Sequence, residues 1–408
     1  MKLVKAGSRQ FQKLCERSTI RRQKRISARV SKIIEDVRQY GDEALIRYTR
    51  KFDKIKLKPR NLLVSECETS GAYQNIDPEF VNSLKLVMEN INKFYKRQIK
   101  KSWRRKDADG VVLGEKITPI ETVGVYVPSG TVPLISTVYM TVIPAQMAGV
   151  KKIVMMTPPN KYGSVDPHIL VMANLLKVRD IYKVGGAQAI AALAFGTKTV
   201  PKVDKIVGPG NSYVTEAKRQ VFGHCAIDML AGPTELVVVA NQFTNLQYLR
   251  ADLAAQAEHF MGLAILVTTS KKLVRIMKKE FPEGFMVHAK NVREAADIVN
   301  QLAPEHLQLL VNNSRGFMKN IVNAGAIFLG PYSPVSVGDY IAGPSHVLPT
   351  GGSARFFSGL GLSDFVKSSH IILYTKKALE KARDAIERIA SIEGLSKHLE
   401  SVKVRFDS

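Results

Sequence analysis

Cysteine is scarce in this sequence, and no long segment is uniformly apolar. The three cysteines, Cys15, Cys67 and Cys225, are widely spaced and form no CxxC motif, so we expect no disulfide framework. No run approaches the roughly 20 apolar residues that a transmembrane helix needs. The N-terminus also lacks the apolar core and cleavage site of a secretory signal. These absences predict a cytoplasmic protein without a membrane segment.

Acidic residues are also few relative to basic ones, and the formal net charge is +24. Residues 1–106 hold 28 Lys and Arg against 11 Asp and Glu, with dense runs at 21–25 and 96–106. Such a surplus is typical of nucleic-acid surfaces. However, the sequence has no RNP, zinc-finger or helix-turn-helix signature, and aromatic residues between the cations are few. We therefore expect a solvated basic helical face and no nucleic-acid partner, with a nucleic-acid-associated protein as the alternative.

The order of apolar segments predicts an α/β fold. The length of 408 residues exceeds that of one compact core, and residues 1–100 have mostly helical periodicity. From residue 111, strand-length apolar runs alternate with helical segments, and a second such series begins at Glu235. This alternation is typical of parallel sheets covered by helices. Residues 331–368 lack periodicity and predict a long loop, and two final elements follow it, a strand at 368–375 and a helix at 377–395.

Three polar, glycine-bearing turns follow strands of the first series, at 126–133, 185–190 and 208–213. None is a complete GxGxxG motif. In the third turn, GPGNSY, Tyr213 stands where the third glycine would be. The carboxyl ends of parallel strands are where open α/β folds bind ligands, and the amides of such a turn can hold a phosphate. Each turn alone has a purely steric explanation, but together they predict a ligand site.

A second group of residues suggests metal and acid–base chemistry. Gln256 and His259 are three residues apart in a predicted helix at 249–260, so they share a face and could form half of a divalent-metal site. Asp339 could add a hard oxygen ligand, and the adjacent Glu305 and His306 could act as acid and base. For each residue taken alone, a solvated helix end or loop is the commoner explanation. Three further candidates for the site are His346, Glu393 and His398.

Eight segments together resemble the histidinol dehydrogenase family over roughly residues 25–405. They are, in chain order, GVYVPSGTVPLISTV, GGAQAIAALAFGT, DKIVGPGNSYVTEAKRQV, IDMLAGPTE, DLAAQAEH, APEHL, GDYIAGPSHVLPT and EGLSKH. The resemblance implies an NAD- and zinc-dependent homodimer of histidine biosynthesis. It would oxidise L-histidinol to L-histidinal and then to L-histidine, with consumption of two NAD+.

The resemblance also assigns roles to individual residues. It implies that one zinc ion per subunit is bound by Gln256, His259, Asp339 and His398. Glu305 and His306 match the catalytic pair, and Tyr126, Gln188 and Asn211 match NAD contacts. The positions that match contacts to histidinol are Thr234, Gln256, His259, His306, Asp339, Glu393 and His398. His346 matches a histidine near the site without a ligand role.

The implied fold has two incomplete Rossmann-like domains with parallel sheets and helical extensions at both ends. We predict an N-terminal helical region at 1–115 that packs with the second α/β half, and a first, NAD-contacting α/β domain at 116–233. A second α/β domain at 234–372 would carry the metal and catalytic residues, and a tail at 373–408 would be exchanged between subunits. Whether His398 then acts in cis or in trans stays open.

Some positions depart from the family pattern and leave an alternative open. Ser129 and Leu230 stand where a glycine and a proline are common, Thr234 replaces a serine, and the segment HFMG at 259–262 is unusually apolar. A related zinc-dependent dehydrogenase of another small polar alcohol is therefore the alternative, although Glu393 and His398 favour a substrate with an imidazole. A nucleophilic Cys225 is disfavoured, because apart from His224 no adjacent residue could be cationic.

Overall fold

The computed structural model of the chain describes residues 1–17, 24–129, 132–259 and 261–406. Three predicted features extend beyond these ranges: Arg21 to Gln23 of the first basic run, Gly130 and Thr131 of the first turn, and Phe260 of a predicted helix.

The strands are β1 (Lys2–Val4), β2 (Trp103–Lys106), β3 (Val112–Pro119), β4 (Thr122–Tyr126), β5 (Lys152–Thr157), β6 (Asp180–Lys183), β7 (Lys205–Val207), β8 (Ala226–Ile227), β9 (Glu235–Ala240), β10 (Leu263–Thr268), β11 (Phe285–His288), β12 (His306–Leu310), β13 (Ala326–Leu329) and β14 (Val366–Leu373).

The helices alternate with these strands through most of the chain. They are α1 (Arg9–Cys15), α2 (Lys24–Tyr40), α3 (Asp42–Phe52), α4 (Glu66–Ala72), α5 (Pro78–Tyr95), α6 (Ile135–Met147), α7 (Pro167–Leu175), α8 (Gly186–Phe195), α9 (Ser212–Val221), α10 (Leu246–Ala257), α11 (Lys271–Glu280), α12 (Val292–Leu302), α13 (Ser314–Met318), α14 (Val335–Tyr340), α15 (Lys376–Ile392) and α16 (Ser396–Lys403). None of the described helices is both long and apolar enough to cross a membrane.

The described residues form two compact units, one within residues 1–98 and 120–365, and one within residues 99–119 and 366–406. Both parallel sheets belong to the first unit, and an antiparallel sheet belongs to the second. The predicted α/β class with two parallel sheets is therefore confirmed. The finer division at residues 115, 233 and 372 stays a prediction.

The first parallel sheet has the strand order β6-β5-β4-β7-β8. Successive side chains of β5 point to opposite faces, as the two-residue period of a strand requires. Met155 packs with α6 and α7, whereas Val154 and Met156 pack with α8 and α9. Because both faces are covered by helices, these strands are continuous apolar runs in the sequence.

The second parallel sheet has the order β1-β11-β10-β9-β12-β13, with β9 near its centre. Every residue of β9 is buried. Val237 and Val239 face a cluster that includes α12, while Leu236 and Val238 face one that includes α10 and α11. Strands β1 and β11 were not predicted from the sequence.

The N-terminal segment packs differently from the prediction. Strand β1 and helix α1 do join the second sheet, where Phe11 is buried beside α12. Helices α2 to α5, however, pack on the first α/β half: Val30 lies in one cluster with α8 and α9, and Ile91 in another with α6 and α7. The prediction that the N-terminal helices pack with the second half is wrong for these four, because their apolar faces match the covering helices of the first sheet.

The second unit contains a three-stranded antiparallel sheet in the order β14-β3-β2, followed by α15 and α16. Strand β14 and helix α15 occur close to where the sequence predicts them. Strand β2 lies in the basic run at 96–106, which we expected to be a helical face. All four of its residues are exposed, so the run is solvated as predicted but has a different structure.

Asp42 links α3 to the segment after α8 within the first unit. Its carboxylate accepts hydrogen bonds from the hydroxyl of Thr197 at 2.5 Å, from the hydroxyl of Thr199 at 2.5 Å and from the amide of Thr199 at 3.3 Å. Asp42→Ala should lower the free energy of unfolding by roughly 1–3 kcal/mol, because buried donors lose their acceptor. Urea unfolding of this variant is to be compared with the exposed neighbour variant Glu43→Ala, and equal stability of the two would contradict the prediction.

Candidate active site

The three predicted NAD contacts lie at the carboxyl edge of the first sheet. Tyr126 ends β4, Gln188 lies in the first turn of α8 after β6, and Asn211 is the N-cap of α9 after β7. The Tyr126 hydroxyl accepts a hydrogen bond from the Gly186 amide at 3.0 Å. Burial raises the pKa of Tyr126 to about 12, so its hydroxyl stays protonated. The structure therefore brings the predicted NAD residues to one edge.

Two polar groups at this edge differ in what they already bind. The Asn211 Oδ1 accepts from the amides of Tyr213 and Val214 and so caps α9. The side chain of Gln188 is buried, and its Oε1 has no hydrogen-bond partner among the described residues. A buried acceptor without a partner is costly unless a ligand or water supplies a donor. This edge therefore suits a ligand that carries hydroxyl or amide donors, as a dinucleotide does.

Four of the predicted metal and catalytic residues lie, with Thr234, at the opposite, amino end of strands of the second sheet: Gln256, His259, Glu305 and His306. Thr234 immediately precedes β9, His259 lies shortly before β10, and His306 is the first residue of β12. Gln256 is in the last turn of α10, which leads back to the start of β10. Because β10, β9 and β12 are parallel neighbours, these residues occupy the amino edge of one sheet.

The peptide group of Glu235 holds both members of the predicted acid–base pair. The Glu235 amide donates to Glu305 Oε2 at 2.8 Å, and the Glu235 carbonyl oxygen lies 3.1 Å from His306 Nδ1. A carbonyl oxygen only accepts, so Nδ1 carries a proton. Whenever this imidazole is neutral, its lone pair is therefore on Nε2. Glu305 and His306 are 6% and 4% exposed, which excludes the alternative of a surface loop.

Asp339 completes a charged group with this pair. His306 Nε2 lies 3.7 Å from Asp339 Oδ1, which is too long for a hydrogen bond, and Nδ1 lies 3.4 Å from Glu305 Oε2. Burial alone would lower the pKa of His306, but the Glu305 and Asp339 carboxylates outweigh it and raise this pKa to about 10. A cation bound by Asp339 would oppose this effect and favour the neutral imidazole that a general base requires.

The predicted metal ligands of the first unit are one amide, one imidazole and one carboxylate. The Gln256 side chain is buried with its Nε2 unpartnered among the described residues, and His259 is exposed. A Cβ on Gly262 would overlap the Gln256 carbonyl oxygen and lie 3.1 Å from the His259 Cβ, so only glycine fits between them. Asp339 lies in the short helix α14, which corrects the prediction of a structureless loop.

This donor set suits zinc, which binds imidazole and carboxylate ligands and accepts an amide oxygen. No group of three or more His, Cys, Asp or Glu side chains spaced for a metal occurs within residues 1–17, 24–129, 132–259 and 261–406. The predicted imidazole and carboxylate ligands of the first unit, His259 and Asp339, therefore need a further ligand. The predicted one is His398, which lies in α16 of the second unit and is exposed there, as is Glu393. The roles of Glu393 and His398 stay predictions.

A cavity of about 670 Å³ adjoins this group in the first unit, and His306, Asp339 and His346 all line it. Its apolar wall includes Phe94, Ile327, Phe328 and Leu360. Burial lowers the pKa of His346, so this imidazole is neutral, and its Nε2 has no hydrogen-bond partner among the described residues. Cavities of this size and mixed lining are typical small-molecule sites.

Comparison with known proteins supplies the family. The family model described as histidinol dehydrogenase matches residues 16–406. A histidinol dehydrogenase of Listeria innocua is 47% identical over 401 residues, covering 94% of this chain and 93% of the relative. That of Clostridium acetobutylicum is 44% identical, with 98% and 96% covered. The crystal structure of histidinol dehydrogenase from Elizabethkingia anophelis superposes with a TM-score of 0.92 at 36% identity, covering 100% of this chain and 98% of that one.

The chain belongs to the histidinol dehydrogenase family. It is thus a member of a family of oxidoreductases, and the resemblance seen in the sequence motifs is confirmed over nearly the whole chain. Two of the departures from the family pattern can be placed. Met261 in the HFMG segment is exposed and has a positive φ of 59°. Ser129 forms a bridge to Pro133 across the first turn.

Cys225 lies in a setting unlike that of a reactive thiolate. It is buried, and this burial raises the pKa of its thiol to about 11. At neutral pH the group is therefore a thiol, which is a poor nucleophile. This agrees with the expectation from the sequence that Cys225 is not a nucleophile.

Sequence reasoning missed an ion pair behind the acid–base pair. Arg17 donates two hydrogen bonds to the Glu235 carboxylate, at 2.9 and 2.6 Å, and a third and fourth to the carbonyl oxygens of Leu14 and Leu302. The side chains of Arg17 and Glu235 are 11% and 5% exposed. The one signal in the sequence is a glutamate at the start of the otherwise apolar strand ELVVVA, whereas nothing in it singles out Arg17.

Arg17→Met should lower the free energy of unfolding by about 3–5 kcal/mol, because it leaves the buried Glu235 carboxylate without its cation. The double variant Arg17→Met/Glu235→Gln should lose less, since the buried charge is removed together with its partner. Chemical denaturation of the three proteins measures both effects. A single variant as stable as the unchanged chain would refute the importance of this ion pair.

Proposed function

We propose that this chain catalyses the NAD-dependent oxidation of L-histidinol to L-histidine through L-histidinal, the last steps of histidine biosynthesis. The observation that carries the proposal is the buried pair of Glu305 and His306, which faces Asp339 at the edge of the 670 Å³ cavity. The names of the curated relatives support the choice of substrate. We further propose a homodimer in the cytoplasm, in line with three free thiols.

NAD would be held at the carboxyl edge of the first sheet by Tyr126, Gln188 and Asn211. When bound, it supplies the acceptor for the hydride. Tyr126 fixes the Gly186 turn through its hydroxyl, and Gln188 offers an unpartnered buried oxygen. Asn211 keeps the first amides of α9 in place and so shapes the third turn.

Zinc, one ion per subunit, would be held by Gln256, His259, Asp339 and His398. When bound, it supplies coordination positions that anchor the amino and imidazole nitrogens of histidinol. Around it, Thr234 and Glu393 would contact the substrate. The partly exposed edge on which Thr234 and His259 lie leaves room for a small cationic alcohol.

His306 would accept the alcohol proton on Nε2 while its Nδ1–H remains on the Glu235 carbonyl oxygen. Glu305 would act in the second oxidation, in which its carboxylate takes a proton from the water that adds to the aldehyde. The Glu235 amide already orients one oxygen of Glu305, so the other is available for this proton. The two residues thus divide the two oxidations between them.

The proposal is tested by following NADH absorbance with a panel of small polar alcohols. Histidinol should be the preferred substrate and should yield two NADH per molecule. Preference for another alcohol would support the alternative of a related zinc-dependent dehydrogenase. No NADH with any alcohol, together with retardation of nucleic acid on gels at low salt, would support the non-catalytic basic protein instead.

Glu305→Gln separates the two oxidations. Aldehyde oxidation should fall by roughly 10²–10⁴, the usual contribution of a general base. Alcohol oxidation should change far less, because His306 keeps its contact to the Glu235 carbonyl oxygen. Each half-reaction is measured by itself, with histidinal or histidinol as the starting compound. Equal losses in both would contradict separate roles.

His398 provides a test of the proposed dimer. If it completes the metal site of the other subunit, His259→Ala and His398→Ala homodimers are both nearly inactive and lose zinc. Mixing and refolding the two should restore activity, because a mixed dimer contains one intact site. Zinc content by atomic absorption is the second readout. No recovery on mixing would indicate that His398 acts in cis.

A further inference from the structure

A buried ion pair next to the first sheet forms hydrogen bonds to Gly208, in the third glycine-bearing turn. Lys218 in α9 and Asp228 after β8 have side chains that are 3% and 0% exposed, and they are bonded to each other. The Gly208 amide donates to Asp228 Oδ2 at 2.7 Å. The Lys218 ammonium donates to the Gly208 carbonyl oxygen at 2.9 Å. One buried pair therefore satisfies both polar groups of a single residue.

Gly208 also packs on the neighbouring turn. Its φ of +111° is a conformation that side chains rarely adopt, and a Cβ there would overlap the carbonyl oxygen of Tyr126. The ion pair therefore contacts Gly208 in the turn before α9, and Gly208 packs on Tyr126 in the turn after β4. The Tyr126 hydroxyl in turn bonds to the Gly186 amide in the turn before α8, so all three turns of the carboxyl edge are connected.

The pair also ties the turn before α9 to the helix itself. Lys218 lies in the last turns of α9, while Gly208 lies just before Asn211, the N-cap of the same helix. The bond from Lys218 back to Gly208 thus fixes the GPGN turn along the side of its own helix. Asp228 Oδ1 also accepts from the Met229 amide at 2.6 Å, which fixes the carboxylate itself.

Stability alone is a weak reason for such a pair. Removing two charges from water is costly, and buried ion pairs can often be replaced by apolar side chains without loss of stability. What an apolar pair cannot supply is a donor and an acceptor for the Gly208 peptide. The benefit of the pair is therefore geometric, at a turn whose position decides how a dinucleotide fits.

We propose that Lys218 and Asp228 are positioning residues for the cofactor, which set the GPGN turn and Tyr126 at the spacing that NAD+ requires. This inference rests on the proposed function, since it assumes that NAD+ binds at this edge. Neither residue contacts the cofactor in this account. They act through the peptide of Gly208 and the ring of Tyr126.

The test compares the unchanged protein with Lys218→Met/Asp228→Leu, which removes both charges together. The control is Lys205→Met/Asp364→Leu, which removes the ion pair of 3.0 Å at the other end of β7. The dissociation constant for NAD+ is measured by calorimetry, and hydrogen–deuterium exchange is measured over residues 207–214. The KM values for NAD+ and histidinol and the kcat are measured as well.

The variant at 218 and 228 should bind NAD+ roughly tenfold or more weakly and exchange faster over 207–214. Its KM for NAD+ should rise while kcat at saturation and the KM for histidinol change little, as expected when binding of one ligand is lost. The control should keep its NAD+ affinity. If the apolar double variant does not fold, Lys218→Met/Asp228→Asn, which keeps an acceptor for the Gly208 amide, should show a smaller loss of the same kind.

Three contrary results are distinguishable. Equal NAD+ affinity and equal exchange in the variant and the unchanged protein would overturn the positioning role alone. Failure of the unchanged protein to bind NAD+ would overturn the proposed function, and the cofactor role of this pair with it. A loss of affinity of the same size in the control variant would also overturn the proposal, because the effect would then be general.

Discussion

Two carboxylates, Glu235 and Glu305, are buried close together at the start of the central strands of the second sheet. Among the lysine and arginine side chains that the structure describes, Arg17 is the one that bonds to this pair, through Glu235. Burying negative charge without compensation is costly, so the site depends on this guanidinium. The same Glu235 holds Glu305 and His306 through its peptide group. The N-terminal segment therefore has a direct connection to the acid–base pair, although it contributes no predicted catalytic residue.

The two parallel sheets divide the chemistry between opposite strand ends. The turns that we propose for NAD follow β4, β6 and β7, where helix N-termini and glycine amides are available for a dinucleotide. The proposed ligands Gln256 and His259 precede β10, Glu305 precedes β12 and His306 begins it, whereas Asp339 lies in α14. Both sets are attached to buried, apolar strands, and rigid strands of this kind can hold reacting groups in a fixed geometry.

Local patterns in the sequence were sufficient for most strands of the parallel sheets, since buried strands such as β9 are continuous apolar runs between clear turns. They missed β1 and β11 of the second sheet. The motifs also singled out Glu305, His306 and Asp339, which the structure brings close together, with the first two buried. Their burial was not predicted, since a surface loop was the commoner explanation for the pair taken alone, and their catalytic role stays a prediction. Contacts between distant residues could not be predicted in this way. Arg17 and Glu235 are 218 positions apart, and helices α2 to α5 gave no local sign of which sheet they cover. Strand β2 is polar and exposed, and only its pairing with β3 makes it a strand.

The central claim is that donors from separate segments meet around one cation beside His306. Anomalous X-ray diffraction at the zinc edge, from crystals of the zinc-loaded protein with histidinol, tests it most directly. The account predicts one zinc peak per subunit, bonded to Gln256, His259, Asp339 and one copy of His398. A single peak elsewhere, with these four side chains out of bonding reach of any common point, would contradict it.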